Sequence, residues 1–206
     1  MMSTPAAPPD RAKRLLDLAV AVPALVVLSP VLLAIAVAVR VDSRGPALFR
    51  QERVGLGGEV FRLHKFRSMR ASHDGALVSP TGDSRVTRVG QFLRRTKLDE
   101  LPQLIDVATG HMSLVGPRPE VPRYAALWDP EQARVILSVR PGITDPVSIA
   151  FRHESDLLAA AEDPEAHYRD VLLPQKAAMY VDYVEHRTLP GDLRILLQTV
   201  AAVVRD

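Results

Sequence analysis

From Leu18 to Val39 the chain runs for 22 residues without a charge, LAVAVPALVVLSPVLLAIAVAV, interrupted only by Pro23 and the Ser29-Pro30 pair. At about 1.5 Å per residue a helix of this length covers roughly 33 Å, enough to cross a bilayer. Three features predict instead a segment that enters the membrane and returns to the same side. Both flanks are basic, with Arg11, Lys13 and Arg14 before the run and Arg40, Arg44, Arg50 and Arg53 after it, so each favours the cytoplasm. Pro30 removes a backbone donor at mid-run, and the Ser29 hydroxyl is placed to bond a freed carbonyl. A break there leaves two arms of about eleven residues, too short to cross alone. The pattern predicts a helix-break-helix anchor over residues 11–45, with Ser29 and Pro30 at the break. A cleaved signal peptide fits less well, because its apolar region is typically about 7–15 residues. A buried core helix, apolar on every side, would need protein all round it.

Beyond the anchor the pattern changes. Residues 47–54 and 59–66 predict two strands of a hairpin around Gly55, Gly57 and Gly58. GLGG lacks the Lys-Ser/Thr ending of a P-loop, so the glycines are read as turn residues. Residues 90–97 predict a strongly basic helix. A second helix is predicted from Asp99, with Pro102 in its first turn, an inward stripe of Leu101, Leu104 and Ile105, and Gly110 as C-terminal cap. The C-terminal third reads as short helices joined by proline turns. In its last helix Leu193, Ile195, Leu196, Val200 and Val203 form a stripe read first as core packing, and otherwise as a face lying on the membrane. The expected fold class is α+β: a mainly helical cytosolic domain, residues 46–206, carrying a short β-hairpin and attached to the re-entrant anchor, with residues 1–10 as a flexible tail.

Composition narrows the function. The chain has 206 residues and no cysteine, which removes disulfides, thiolate metal sites and thiol nucleophiles. Its net charge is only +2, but residues 40–97 hold thirteen Lys or Arg against five acids, a candidate anion site. Aromatic residues make up 5% of the chain, too few for a nucleic-acid stacking platform, so no nucleic-acid partner is expected.

Asp99 and Glu100 stand before an apolar helix, with Lys65, Arg67, Arg94, Arg95 and Lys97 nearby in sequence and Arg118 held between Pro117 and Pro119. Helix capping is one reading of the acidic pair. The other is chemical: a carboxylate backed by cations attacks phosphorus and splits a transfer into two displacements through an acyl phosphate. Magnesium would neutralise a diphosphate while taking only one or two protein carboxylates. The planar fork of Arg118 suits a phosphate.

The run RRTKLDELPQLIDVATGHMSLVGPRPE, residues 94–120, resembles the signature of the bacterial sugar transferase family, the small monotopic phosphoglycosyl transferases. The likeness extends through the anchor with Ser29-Pro30, KFRSM at 65–69 and RPGIT at 140–144. It departs at Gly110-His111 and at Asp145-Pro146, so no sugar identity is carried over. The resemblance implies transfer of a sugar 1-phosphate from a UDP-sugar to polyprenyl (undecaprenyl) phosphate, giving a polyprenyl diphosphate sugar and UMP. It implies a ping-pong course with Asp99 as nucleophile, Glu100 assisting, and magnesium at the Asp99-Glu100 pair. Lys65, Arg67, Arg94 and Arg118 become phosphate-binding residues. The enzyme would sit at the cytoplasmic face of the inner membrane, in contact with membrane lipids, at the first membrane step of a surface glycan; pairing of two chains stays open. The competing reading is a membrane-tethered scaffold in which Asp99-Glu100 only caps a helix.

Overall fold

The protein is described by a computed structural model covering residues 11–70 and 81–205, with side chains through Ala202. The expected tail at residues 1–10 lies outside the described residues. One helix, α1, runs from Arg11 to Asp42 with Pro23 and Pro30 inside it. The expected division into two arms is therefore absent: the helical backbone continues through Ser29-Pro30. Its continuity has a local cause. Pro30 has no N–H to give the carbonyl four residues back, and Ser29 Oγ donates to that carbonyl, Val26 O, at 2.8 Å.

The apolar run hides a one-sided packing pattern. Asp17, Ala21 and Val39 are buried, and Ala24, Leu25, Leu28, Leu32, Ile35 and Ala36 pack against core side chains between them. This spacing is one face of a helix. The opposite face leaves Val22, Val26, Val27, Leu33, Val37 and Val41 exposed. Arg14 caps the end of a neighbouring helix, donating to Val107 O at 2.6 Å and Ala108 O at 3.0 Å. Asp17 accepts from Ser113 Oγ and Leu114 N, both at 3.0 Å. At the other end Arg67 donates to Val39 O at 3.3 Å and Ser43 O at 2.7 Å.

Strands β1 (Leu48–Val54) and β2 (Val60–Phe66) form the antiparallel hairpin, pairing Leu48 with Phe66 and Val54 with Val60. Phe61, Leu63 and Phe66 face the core beneath α1. Helix α2 (Arg88–Arg95) follows, capped by Thr87, whose Oγ1 accepts from Gly90 N at 3.0 Å. Gly90 lies so close to the Ser68 backbone that a Cβ would stand 1.9 Å from its carbonyl oxygen. Then come α3 (Gln103–Thr109) and β3 (Ser113–Val115). Helices α4 (Pro122–Ala125) and α5 (Pro130–Ile136) precede β4 (Gly142–Thr144), which pairs in parallel with β3. The chain ends in α6 (Pro146–Ala150), α7 (Glu154–Ala160), α8 (Pro164–His167), α9 (Leu173–His186) and α10 (Leu189–Arg205), with a π-helical turn at Tyr168–Leu172.

A second core, with Tyr124, Trp128, Ile136, Val147, Leu158 and Tyr180, joins α4 to α9. The fold is mainly helical with a short hairpin, as expected. The last helix divides its stripe: Ile195 and Leu196 pack inward, whereas Leu193 and Val200 are exposed.

Candidate active site

Asp99 and Glu100 lie in a 3-10 turn, Leu98–Glu100, just before α3 rather than in its first turn. The turn is entered through Lys97, whose φ of 57° is the one positive value at a non-glycine among the described residues. An L-residue holds this left-handed conformation at a cost, and such strain is concentrated at functional sites. It turns Asp99 inward, to 2% exposure.

Two expected cations meet the pair. Lys65, at the end of β2, places Nζ 3.3 Å from Asp99 Oδ2 and 3.8 Å from Glu100 Oε1. Arg118 brings both terminal nitrogens to Glu100: Nη1 donates to Oε2 at 3.1 Å, and Nη2 to Oε1. This is the two-pronged carboxylate geometry peculiar to guanidinium. The two carboxylates respond differently. Burial pushes Asp99 above the ordinary aspartate range, against the pull of Lys65. Burial also opposes ionisation of Glu100, but Arg118 and then Lys65 outweigh it and hold that group well below the usual range. Glu100 in turn raises Arg118 further. The neighbouring cations thus favour the ionised form of Glu100 more strongly than that of Asp99.

The other two expected phosphate-binding residues are placed differently. Arg67 does not reach the pair, since its guanidinium is buried against the last turn of α1. Lys65 and Arg67 are two apart, which in a strand would put both on one face, but β2 ends at Phe66 and the Arg67 side chain runs instead to Val39 O and Ser43 O. Arg94 directs Nη1 to Met69 Sδ at 3.5 Å.

Several supporting residues were not singled out from the sequence. Arg53 Nη1 donates to Pro119 O at 2.9 Å, and Val54 N to Glu120 O at 2.9 Å, so β1 holds the Gly116–Pro119 segment that presents Arg118. Asp106 clamps β2 to α3: it accepts from His64 N at 2.9 Å and meets His64 Nδ1 at 2.7 Å. That clamp fixes the strand carrying Lys65 against the helix that follows Asp99. Asp145, fully buried, caps α6 through Ser148 N at 2.8 Å, and its proton affinity is raised by burial. Only an Asx-type spacing before Pro146 hinted at this role.

Donor chemistry also bears on a divalent cation. Magnesium takes one or two protein carboxylates and fills its remaining positions with phosphate and water, and to bind one here Glu100 would have to yield part of its two-pronged contact with Arg118. Asp99 and Glu100 are the residues that would hold it.

The bacterial sugar transferase family matches the chain over residues 9–206. A UDP-glucose:undecaprenyl-phosphate glucose-1-phosphate transferase of Caulobacter vibrioides is 38% identical over 208 residues, covering 95% of this chain and 70% of the relative. An Escherichia coli protein with the same printed activity is 38% identical, covering 91% of this chain but 39% of its own length. A UDP-N-acetylgalactosamine-undecaprenyl-phosphate N-acetylgalactosaminephosphotransferase of Aeromonas hydrophila is 42% identical over 148 residues, 70% of this chain and 35% of the relative.

Proposed function

The chain belongs to the bacterial sugar transferase family, and on that footing we propose that it moves a sugar 1-phosphate from a UDP-sugar to undecaprenyl phosphate. The observation that carries the reading is the pairing of a buried Asp99, faced by Lys65, with an Arg118-clamped Glu100. An Asp99 oxygen attacks the sugar-bearing phosphorus, and the P–O bond to UMP breaks. The aspartyl phosphosugar then yields to the phosphate oxygen of the lipid, which forms the new P–O bond as the Asp99 carboxylate leaves. Neither displacement needs a proton, because both leaving groups depart as anions.

Lys65 orients Asp99 and offsets charge at the phosphoryl group in flight. Arg118, released in part from Glu100, is the fork for the diphosphate. Magnesium held by Asp99 and Glu100 would neutralise diphosphate charge. The product, a lipid-linked sugar, is chemically suited to priming a surface glycan.

The topology we infer is monotopic, with both flanks of α1 on the cytoplasmic face. The support is that α1 is tied to one domain near both ends, through Arg14 and Asp17 and through Val39 and Ser43. A helix of 32 residues is about 48 Å long. A simple crossing would strip one of these ends from its partners. The outward Val and Leu face would then lie in the cytoplasmic leaflet, with the axis of α1 along the membrane surface.

The test is transfer with purified protein, a panel of UDP-sugars, magnesium and undecaprenyl phosphate. UMP and a lipid-extractable phosphosugar should appear together with at least one donor and vanish in Asp99→Asn. Transfer that persists in Asp99→Asn, or no lipid product from any donor, contradicts the reading.

A further inference from the structure

Lys97 enters the turn that carries Asp99 and Glu100 in a left-handed conformation, with φ of 57° and ψ of 12°. Glycine populates this region freely, whereas an L side chain there costs energy. The chain nonetheless carries a lysine at this point, two residues before Asp99. Its backbone is fixed on both sides: Lys97 N donates to Arg94 O at 3.3 Å, and Lys97 O accepts from Glu100 N at 3.1 Å. The side chain is exposed and, among the described residues, its ammonium forms neither an ion pair nor a hydrogen bond.

Most neighbouring cations are engaged. Lys65 meets Asp99, Arg118 grips Glu100, Arg67 bonds the end of α1, Lys176 meets Glu154 at 2.8 Å, and Arg152 donates Nε to His153 Nε2 at 2.9 Å. Lys65 and Arg118 match the two carboxylates one for one, so these four groups present no surplus positive charge to a diphosphate. Lys97 supplies a surplus. It borders a cavity together with Glu100 and Arg118, and after burial and the nearer partners its charge also favours the ionised forms of Asp99 and Glu100. Arg95, on the last turn of α2, borders the same cavity without comparable influence on either carboxylate.

We propose that Lys97 is a further catalytic residue, whose ammonium binds a non-bridging oxygen of the phosphoryl group that passes between the donor and Asp99. The proposal rests on the phosphotransfer reading for the step it serves. The bonds that form and break are those of the two displacements described above. Lys97 keeps its proton throughout and donates a charge-assisted hydrogen bond to oxygens that carry the charge of the transferring group. The left-handed backbone then has a use at the site: it holds a cation beside the carboxylate pair without pairing it to either.

The test measures binding as well as turnover, on the full chain with magnesium and with UDP and UMP as probes. UDP carries the phosphate that Asp99 would attack, and UMP lacks it. Lys97→Gly accepts the left-handed turn and removes the ammonium; Lys97→Asn, which also tolerates the turn, is its duplicate. In both variants the Kd for UDP should rise about tenfold, the scale of a lost charge-assisted bond, with the Kd for UMP and the melting temperature not impaired. Single-turnover UMP release from the UDP-sugar that supports transfer should slow by about 10- to 100-fold. Lys97→Arg should recover most of the UDP affinity, and Arg95→Ala should leave it unchanged. UDP affinity that survives in Lys97→Gly and Lys97→Asn, equal weakening for UDP and UMP, or an Arg95→Ala loss as large as that of Lys97→Gly overturns the assignment. Lys97-dependent UDP binding by a wild-type protein that transfers no sugar would refute the phosphotransfer reading and leave the phosphate contact standing.

Discussion

At the scale of single residues, the two neighbouring carboxylates differ in what surrounds them, and this separates the effects of removing each. Glu100 is held low by Arg118 and Lys65 against its burial, so its ionised form contributes stability above the unfolded pKa, and that contribution is lost as pH falls through the folded value. Asp99 runs the other way. Burial raises its folded pKa, so its contribution is largest at low pH and is lost as pH rises through that value. At neutral pH in EDTA, Asp99→Asn should therefore melt no lower than wild type, whereas Glu100→Gln should melt several degrees lower; calorimetry on both variants checks the contrast. Arg118→Lys keeps the charge but loses the fork, and should lower kcat/KM by roughly 10- to 100-fold, as expected for a lost charge-assisted bond. Wild-type rates in Arg118→Lys would show that charge alone suffices. That Lys65 and Arg118 would gather at Asp99 and Glu100 was legible in the sequence because an acidic pair amid cations calls for partners of opposite charge. Arg67 lies apart from that group, because a cluster of like cations in sequence does not show which of them will bond the carbonyls at the end of α1.

At the scale of elements, the hairpin and the helices around Gly90 and Gly110 follow from alternation, caps and glycines, and they were readable to within a residue or two, except that α3 begins at Gln103, four residues past the expected start at Asp99. The packing of α1 was not. Where nearly every position is apolar, hydrophobicity no longer marks the inward face. What marks it is the polar and small residues that touch the domain: Arg14, Asp17 and Ala21. Asp17→Ala should cost roughly 1–3 kcal/mol, because Leu114 N loses its buried acceptor. Urea unfolding would measure it, and a cost near zero would mean that α1 is not docked there. Gly90→Ala should be worse tolerated than Gly57→Ala at the open hairpin turn, although Gly57 has a positive φ, because only Gly90 meets backbone directly.

At the scale of the whole molecule, the proposed membrane contact falls to α1. Its outward face, with Val26, Val27, Leu33 and Val41, is apolar, while its inward face is continuous with the cores beneath the hairpin and α3. Single cysteines placed at Ser3 and at Arg44 of this cysteine-free chain should both be modified from the cytoplasmic side only; labelling from opposite sides would replace the one-leaflet course with a crossing. The continuous helix through Ser29-Pro30 differs from the expected break: the sequence places the Ser29 hydroxyl to bond a freed carbonyl, but that bond, to Val26 O, sustains the helix instead of accompanying its end. The central claim remains that Asp99 carries the phosphosugar between donor and acceptor. Its most direct test is intact-protein mass spectrometry after incubation with a panel of UDP-sugars and magnesium, without lipid acceptor. The account predicts a gain of one phosphosugar, located on the Asp99 peptide, matched by released UMP and removed by undecaprenyl phosphate. UMP release and lipid product from a protein that never gains this mass, or a phosphosugar on another residue, would contradict it.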